Sequence, residues 1–203
     1  MTPNSTLFSL TPGQCCLPVN SLQERLAGIC YLASLLQQVQ LETDTTAAQT
    51  TRAMSASKVL VMLADDDSDD RELFEEVIAG ISTAIEVVTV GDGLQLMNRL
   101  NEPGKALPAI IFLDLNMPGK SGKECLVEIK NNPKLKTIPV VIYSTSASHK
   151  DINETHGSGA NLYVAKPNKF RDLTAIVAKV FSIDLEQLKT SPPIHQFVLS
   201  PDV

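Results

Sequence analysis

One apolar run that ends in an aspartate constrains the fold of this chain more than any other stretch. The residues from Ala109 to Leu113 are apolar, Asp114 follows directly, and a loop that contains Pro118 and Gly119 comes next. Such a run is typical of a strand that is buried on both faces of a parallel sheet. In open α/β sheets, ligands bind beyond the carboxyl ends of the strands. The sequence therefore predicts that Asp114 lies in a ligand site at one edge of a core sheet.

From residue 58 onward, strand patterns alternate with helical patterns. The predicted strands span 59–64, 85–90, 109–113, 138–143 and 160–165, and the predicted helices span 69–81, 94–100, 121–131, 149–156 and 168–181. This alternation is typical of a parallel sheet with right-handed crossovers. We therefore predict an α/β domain with a doubly wound five-stranded parallel sheet and helices on both faces. The flavodoxin-like strand order 2-1-3-4-5 is one of two common choices for this class.

Three segments of the 203-residue chain have different compositions. Residues 1–57 carry few charges and form a predicted N-terminal extension, residues 58–182 form the predicted α/β domain, and residues 183–203 form a tail. Apolar residues in the extension recur at helical spacing and predict one amphipathic helix over residues 21–41, followed by a linker. Two interpretations of this helix stay open: a dimerisation or docking helix, or an extension that never packs on the domain. The tail segment Phe197–Leu199 is either an apolar clip that packs on the domain or a partner-binding peptide.

The composition excludes several classes of function. The formal net charge is −6, Trp is absent and aromatic residues make up 4% of the chain, which disfavours a nucleic-acid-binding surface. The four cysteines form no C-x-x-C pair, so free thiols are expected. No apolar run approaches the ~18 residues of a membrane span. The N-terminus also lacks the positively charged region with which a secretory signal peptide begins. We expect a cytoplasmic protein that binds neither nucleic acid nor membrane.

Four predicted strands end in polar residues, and the topology brings these ends to one edge of the sheet. These residues are Asp65, Asp66 and Asp67 after the first strand, Asp114 after the third, Ser144, Thr145 and Ser146 after the fourth, and Lys166 with Pro167 after the fifth. Carboxylates that lie this close repel one another unless a cation separates them. Oxygen ligands of this kind suit Mg²⁺, which also binds phosphate. A nucleophilic carboxylate, a hydroxyl, an ammonium and a metal are the groups that phosphoryl transfer uses.

This set of residues resembles the receiver domain of two-component response regulators over about residues 58–181. The motifs that carry the resemblance are Asp65 and Asp66, Asp114 with Met117-Pro118 and Gly122, Ser144, and Lys166-Pro167. The resemblance implies that Asp114 accepts a phosphoryl group from a sensor histidine kinase or a histidine phosphotransfer protein. It also implies that Asp66, Asp114 and the backbone carbonyl of Asn116 hold Mg²⁺, while Asp65 acts through water.

The resemblance further implies a conformational switch next to Asp114. Ser144, where many members carry Thr, would move toward the phosphoryl group, and Tyr163 would rotate inward. The Lys166–Pro167 bond would be a cis peptide that aims the lysine at the pocket. The alternative is a trans Lys-Pro that merely starts a helix. Slow autodephosphorylation is expected, tuned by the positions of Asn116 and Ser146.

Two alternatives compete with a receiver. Haloacid-dehalogenase-like phosphatases also use an aspartyl-phosphate, but their nucleophile is on the first strand and a second Asp follows two residues later. Here the nucleophile is on the third strand and the second position is Asn116. An FMN-binding flavodoxin-like protein would not place three aspartates where the phosphate binds. We therefore predict a single-domain response regulator that is not an enzyme and signals through an unknown downstream protein target. A homodimer is an open alternative for its partner.

Overall fold

The computed structural model describes residues 58–200. The helix predicted at residues 21–41, its linker and three of the four cysteines lie outside the described residues. The fourth, Cys125, is a free and buried thiol, and burial raises its pKa to about 11. No helix in the described part of the chain is long and apolar enough to cross a membrane.

Strands and helices alternate along the described chain as the sequence predicts. The strands are β1 Val59–Ala64, β2 Ile85–Val90, β3 Ile110–Leu113, β4 Val140–Ser144, β5 Leu162–Ala165 and β6 Val198–Leu199. The helices are α1 Ser68–Ile81, α2 Gly93–Asn101, α3 Gly122–Asn131, α4 His149–Gly157, α5 Phe170–Ser182, α6 Leu185–Leu188 and α7 Ile194–Phe197. The first five strands and the first five helices match the predicted elements within a few residues at each end.

Side chains at the helix starts explain why the helices begin where they do. The carboxylates of Asp67 and Asp92 accept hydrogen bonds from the first backbone N–H groups of α1 and α2. Ser121 and Glu124 form a reciprocal capping box at the start of α3. Ser148 caps α4. Each cap satisfies backbone donors that the helix itself leaves unpaired, a contribution of about 1 kcal/mol.

The sheet has six parallel strands in the order β2-β1-β3-β4-β5-β6. This confirms the flavodoxin-like order and corrects the strand count, which was predicted to be five. The sixth strand comes from the tail, where Val198 pairs with Tyr163 of β5. Phe197 directly before it is fully buried, so the tail clip packs on the domain. A two-residue strand is too short to show an alternating pattern in the sequence, so β6 could not be predicted. The position of β6 depends on the burial of Phe197.

Alternating side chains of the central strands fill two cores, one on each face of the sheet. On β3, Ile111 and Leu113 contribute to one core, whereas Ile110 and Phe112 contribute to the other. All four residues are fully buried. Helices α2 and α3 cover the first face, and α1 and α5 cover the second. The strand that precedes Asp114 is therefore buried along its whole length and gives the carboxylate a rigid support.

Candidate functional site

Asp114 lies at the carboxyl end of β3 and is nearly buried. Its backbone N–H donates to the carbonyl of Ala64 at 2.9 Å, which fixes it beside the end of β1. Gly122, the first residue of α3, packs directly on the backbone of Asp114. A Cβ atom at position 122 would lie 1.9 Å from the Asp114 carbonyl oxygen, so only glycine fits there. The glycine lets the loop after β3 fold tightly around the carboxylate.

Asp65 and Asp66 follow β1 and lie next to Asp114. Asp65 is fully buried, whereas Asp66 is exposed. One carboxylate oxygen from each of Asp65, Asp66 and Asp114 can be chosen so that all three lie within 4.8 Å of one another. The structure thus brings together the three carboxylates that the sequence predicted to meet.

Lys166 brings a positive charge into this carboxylate cluster. Its side chain is only 7% exposed, and its Nζ atom lies 2.6 Å from Asp65 Oδ2, 2.8 Å from Asp70 Oδ2 and 3.2 Å from Asp114 Oδ2. Its backbone N–H donates to the carbonyl of Ser144 at 2.9 Å. Burial alone would lower the pKa of Lys166, but the carboxylates of Asp65 and Asp70 raise it above its ordinary value. The lysine is therefore a fixed positive charge beside Asp114.

The oxygens of this cluster fit a divalent cation. Asp65 Oδ2 is buried and forms a 2.6 Å ion pair with the Lys166 ammonium. Burial raises the pKa of Asp65 to about 6, although the Lys166 ammonium acts in the opposite direction. Three carboxylates whose oxygens lie within 4.8 Å of one another are a donor set that hard cations such as Mg²⁺ bind.

Two residues of the pocket were not predicted as site residues. Asp70, an acidic residue in the first turn of α1, forms an ion pair with Lys166. Arg71 donates from Nη1 to the carbonyl oxygens of Asp65 and Asp66, at 2.7 and 3.1 Å. It therefore holds the backbone that carries both carboxylates. Both residues lie in the first turn of a helix that starts at the ligand-binding edge, and that position was the available signal.

Ser144 and Tyr163 lie in neighbouring strands, as predicted. Ser144 is fully buried at the end of β4 and pairs with Ala165 in β5. Tyr163 is also fully buried, and its hydroxyl donates to the backbone carbonyl of Ser146 at 2.7 Å. The structure thus shows Tyr163 in an inward position. Its predicted rotation stays a prediction.

The structure places Asn116 beside the pocket and corrects the prediction for Pro167. The backbone N–H of Asn116 donates to Asp114 Oδ1 at 3.3 Å, and its side chain is exposed. The Lys166–Pro167 bond is trans, like every other peptide bond in residues 58–200, so the predicted cis-proline is wrong. The lysine reaches the pocket without it because its backbone bond to Ser144 and its three carboxylate partners fix its direction.

Comparison with known proteins identifies the family to which this pocket belongs. The family model of the response regulator receiver domain matches residues 61–178. The chain belongs to this family. The receiver domain is 36% identical over 131 residues to the response regulator Rcp1 of Synechocystis sp., covering 63% of this chain and 89% of Rcp1. It is 31% identical over 122 residues to the two-component response regulator ARR17 of Arabidopsis thaliana, covering 56% of this chain and 78% of ARR17.

Solved structures agree with this assignment. The phosphorylated cyanobacterial phytochrome response regulator RcpA is 37% identical, with a TM-score of 0.58 and coverage of 61% of this chain and 91% of RcpA. The Mn²⁺-bound form of Rcp1 is 37% identical, with a TM-score of 0.57 and coverage of 66% of this chain and 99% of Rcp1. The chain is a phosphoaccepting response regulator of the receiver family, and nothing in these similarities supports the haloacid-dehalogenase alternative.

Proposed function

We propose that Asp114 is the phosphoacceptor of this receiver domain. The observation that carries the proposal is the position of its carboxylate, which lies 3.2 Å from the Lys166 ammonium and within 4.8 Å of two further carboxylates. Phosphoryl transfer is catalysed mainly by positioning and by neutralisation of charge. Asp114 is the carboxylate of this cluster that comes from the core strand β3, so it is the best-supported nucleophile.

The reaction transfers one phosphoryl group and needs no further reactant. An oxygen of the Asp114 carboxylate forms a bond to the phosphorus of a phosphohistidine while the phosphorus–nitrogen bond breaks. The electron pair of the broken bond stays on the imidazole, which keeps or takes up a proton from water. The donor class is a sensor histidine kinase or a histidine phosphotransfer protein. Lys166 holds a positive charge beside the new acyl phosphate, and the Ser144 hydroxyl is the candidate donor to another phosphoryl oxygen.

We propose Mg²⁺ as the resident cation of the pocket. Asp66, Asp114 and the backbone carbonyl of Asn116 would hold it, with Asp65 acting through water. When bound, it supplies positive charge to the phosphoryl oxygens. The observation that supports this assignment is the cluster of three carboxylates, whose oxygens lie within 4.8 Å of one another. The solved structure of a relative, Rcp1, is that of its Mn²⁺-bound form.

The proposed output is a change in protein–protein contact. Ser144 and Tyr163 form the switch, and a downstream protein target binds according to their state. A homodimer is the second candidate output. The acyl phosphate would be lost by slow autodephosphorylation, so the protein stores a signal and does not act as an enzyme. The cytoplasm is part of this proposal because phosphodonors of this class act there.

Treatment with a small phosphodonor tests the assignment of Asp114. The full chain is incubated with phosphoramidate and Mg²⁺, and its intact mass is measured. We expect a gain of one phosphate in the wild type and no gain in Asp114→Asn. Asp184→Asn is the matched control because Asp184 is an exposed carboxylate outside the pocket. It should gain phosphate as the wild type does.

Two results would contradict the proposal. The first is a wild-type chain that gains no phosphate at any donor concentration, while circular dichroism shows that it is folded. The second is an Asp114→Asn chain that gains phosphate as fast as the wild type, because the phosphoacceptor would then be another residue.

A further inference from the structure

The loop between β4 and α4 is anchored by side chains that the proposed reaction does not use. The segment spans residues 144–148: it begins with Ser144, the last residue of β4, whose hydroxyl is assigned to the phosphoryl group, and continues through the four loop residues. Ser144 itself is fully buried, whereas Ser146 is half-buried and Ser148 is exposed. The apolar residue of this segment, Ala147, is exposed and buries no side chain that could hold the loop. The position of the loop must therefore depend on hydrogen bonds.

Asp151, in the first turn of α4, accepts hydrogen bonds from this loop. Its Oδ2 atom accepts from the hydroxyl of Ser146 and, at 2.7 Å, from the hydroxyl of Ser148. Its own backbone N–H donates to Ser148 Oγ at 3.1 Å. One carboxylate oxygen therefore holds two of the loop side chains at the same time.

Lys123 holds the other oxygen of the same carboxylate. Its Nζ atom lies 2.6 Å from Asp151 Oδ1, which connects α3 to α4. Lys123 also forms an ion pair with Glu154 one turn further along α4. The pKa of Asp151 is lowered by Lys123 and then by Ser146 and Ser148, so the carboxylate is ionised at neutral pH. A charged acceptor forms stronger hydrogen bonds than a neutral one.

Ser146 connects this anchor to the switch residues. Its backbone carbonyl accepts from the Tyr163 hydroxyl at 2.7 Å, and its backbone N–H is directed at Ser144 Oγ at 3.5 Å. Its side chain is the group that Asp151 holds. Both the side chain and the main chain of Ser146 thus form hydrogen bonds, two residues after Ser144.

We propose that Asp151, held by Lys123, is a positioning residue that fixes the loop carrying Ser144 and thereby lengthens the lifetime of the phosphoryl group on Asp114. A loop that is already anchored loses little conformational entropy when the Ser144 hydroxyl binds a phosphoryl oxygen. If the loop is loose, water instead of the Ser144 hydroxyl hydrogen-bonds to that phosphoryl oxygen. The acyl phosphate is then less well held and hydrolyses faster. This inference rests on the proposed phosphoacceptor role of Asp114.

The lifetime of the acyl phosphate tests the inference. Wild type and variants are phosphorylated with phosphoramidate and Mg²⁺, the donor is removed, and the phosphorylated fraction is followed by intact mass. Asp151→Asn should shorten the half-life about fivefold, the factor expected for loss of about one hydrogen bond. Lys123→Met should shorten it by a smaller factor, because Asp151 stays charged but is no longer held from α3.

Glu154→Gln is the matched control. Glu154 contacts the same lysine from the same helix, but its side chain makes no hydrogen bond to Ser146 or Ser148. Its phosphoryl half-life should equal that of the wild type. Asp151→Glu keeps a charged acceptor and should recover part of the lost half-life. A merely structural salt bridge would give equal effects for Glu154→Gln and Asp151→Asn.

The test separates this inference from the proposed function. If the wild type gains no phosphate, the role of Asp114 fails. If the wild type gains phosphate but Asp151→Asn and Lys123→Met lose it at the wild-type rate, the positioning role of Asp151 fails alone. Urea unfolding of each variant accompanies the measurement, and Lys123→Met decides the outcome if Asp151→Asn does not fold.

Discussion

Two lysines whose side chains are partly or largely removed from water lie at opposite ends of the sheet, and their surroundings differ. Lys166, at the carboxyl ends of the strands, contacts the carboxylates of Asp65, Asp70 and Asp114. Lys130, at the other end, donates to the backbone carbonyl of Ile138 at 2.9 Å and to Asn161 Oδ1 at 2.8 Å. Burial lowers the pKa of Lys130 to about 8, whereas the carboxylates hold the pKa of Lys166 above its ordinary value.

The difference shows what a buried charge needs in order to remain charged. Removal from water disfavours the ammonium at both positions. Neutral oxygens satisfy the hydrogen-bond donors of Lys130 but supply no full negative charge. The carboxylates of the pocket supply that charge, and they are stabilised in return by Lys166. Lys166 is therefore suited to permanent charge neutralisation, whereas Lys130 connects the start of β4 and the residue before β5 to α3.

Removal of the pocket lysine should have the largest effect. In Lys166→Met the initial rate of phosphorylation by phosphoramidate should fall about 100-fold, the size of effect seen when one preorganised charge-stabilising group is lost. The rate is measured by intact mass at early times.

Lys130→Met is the matched control for this change because it removes an equally long, half-buried lysine from the other end of the sheet. Its phosphorylation rate should stay within about twofold of the wild type, since no reacting group contacts Lys130. Equal losses in the two variants would show that the charge of Lys166 has no special role.

The affinity for Mg²⁺ should depend on pH because of Asp65, whose pKa is raised to about 6. In the metal-free domain, the stability linked to this raised pKa is present below about pH 4 and is lost as the pH rises through about 6. Mg²⁺ competes with the proton for the ionised carboxylate. Its affinity, measured by calorimetry, should therefore fall about tenfold from pH 7 to pH 5.

The control for the Mg²⁺ prediction is again Lys130→Met, whose Mg²⁺ affinity should match that of the wild type at both pH values. Asp65→Asn should bind Mg²⁺ weakly at pH 7, and most of the pH dependence should disappear. A wild-type affinity that is equal at pH 5 and pH 7 would contradict the assignment of Asp65 to the cation site.

The smallest effect is expected on the stability of the domain at alkaline pH. The pKa of Lys130 in the folded state is about 8, below its ordinary value of 10.5. Between these values the unfolded chain binds more protons than the folded one, so this group makes the domain more stable as the pH rises. From pH 7 to pH 9 the free energy of unfolding of the wild type should gain about 1 kcal/mol relative to Lys130→Met.

Urea unfolding at the two pH values measures this gain. The pKa of Lys166 is raised, so its stabilising contribution is present throughout this window and is lost only at higher pH. The difference between wild type and Lys130→Met therefore isolates Lys130. A difference that does not change between pH 7 and pH 9 would show that Lys130 is solvated and keeps an ordinary pKa.

Much of the site could be predicted because one topological rule connects distant residues. The alternating pattern predicted a parallel sheet, and parallel strands place their carboxyl ends at one edge. Asp65, Asp66, Asp114, Ser144 and Lys166 could therefore be brought together without any knowledge of packing. The strand order of the first five strands was predicted in the same way, as one of two common choices.

The remaining features depend on contacts between residues that are far apart in the sequence. Asp70 joins the pocket because the first turn of α1 lies close enough for its carboxylate to reach Lys166, at 2.8 Å. The tail forms β6 because the fully buried Phe197 directs the chain to the free edge of β5. Asp151 is held by Lys123, which lies 28 residues earlier in the sequence. Local patterns carry no signal for such contacts.

The sequence by itself determined the class of the sheet and the chemical groups at its edge, since both follow from apolar periodicity and strand ends. The tertiary structure decided how those groups are held. It showed that Lys166 contacts three carboxylates although the Lys166–Pro167 bond is trans. It also showed that Tyr163 points inward. The physical reason is that side-chain direction and the burial of charge depend on the whole packed environment, whereas strand position depends mainly on local pattern.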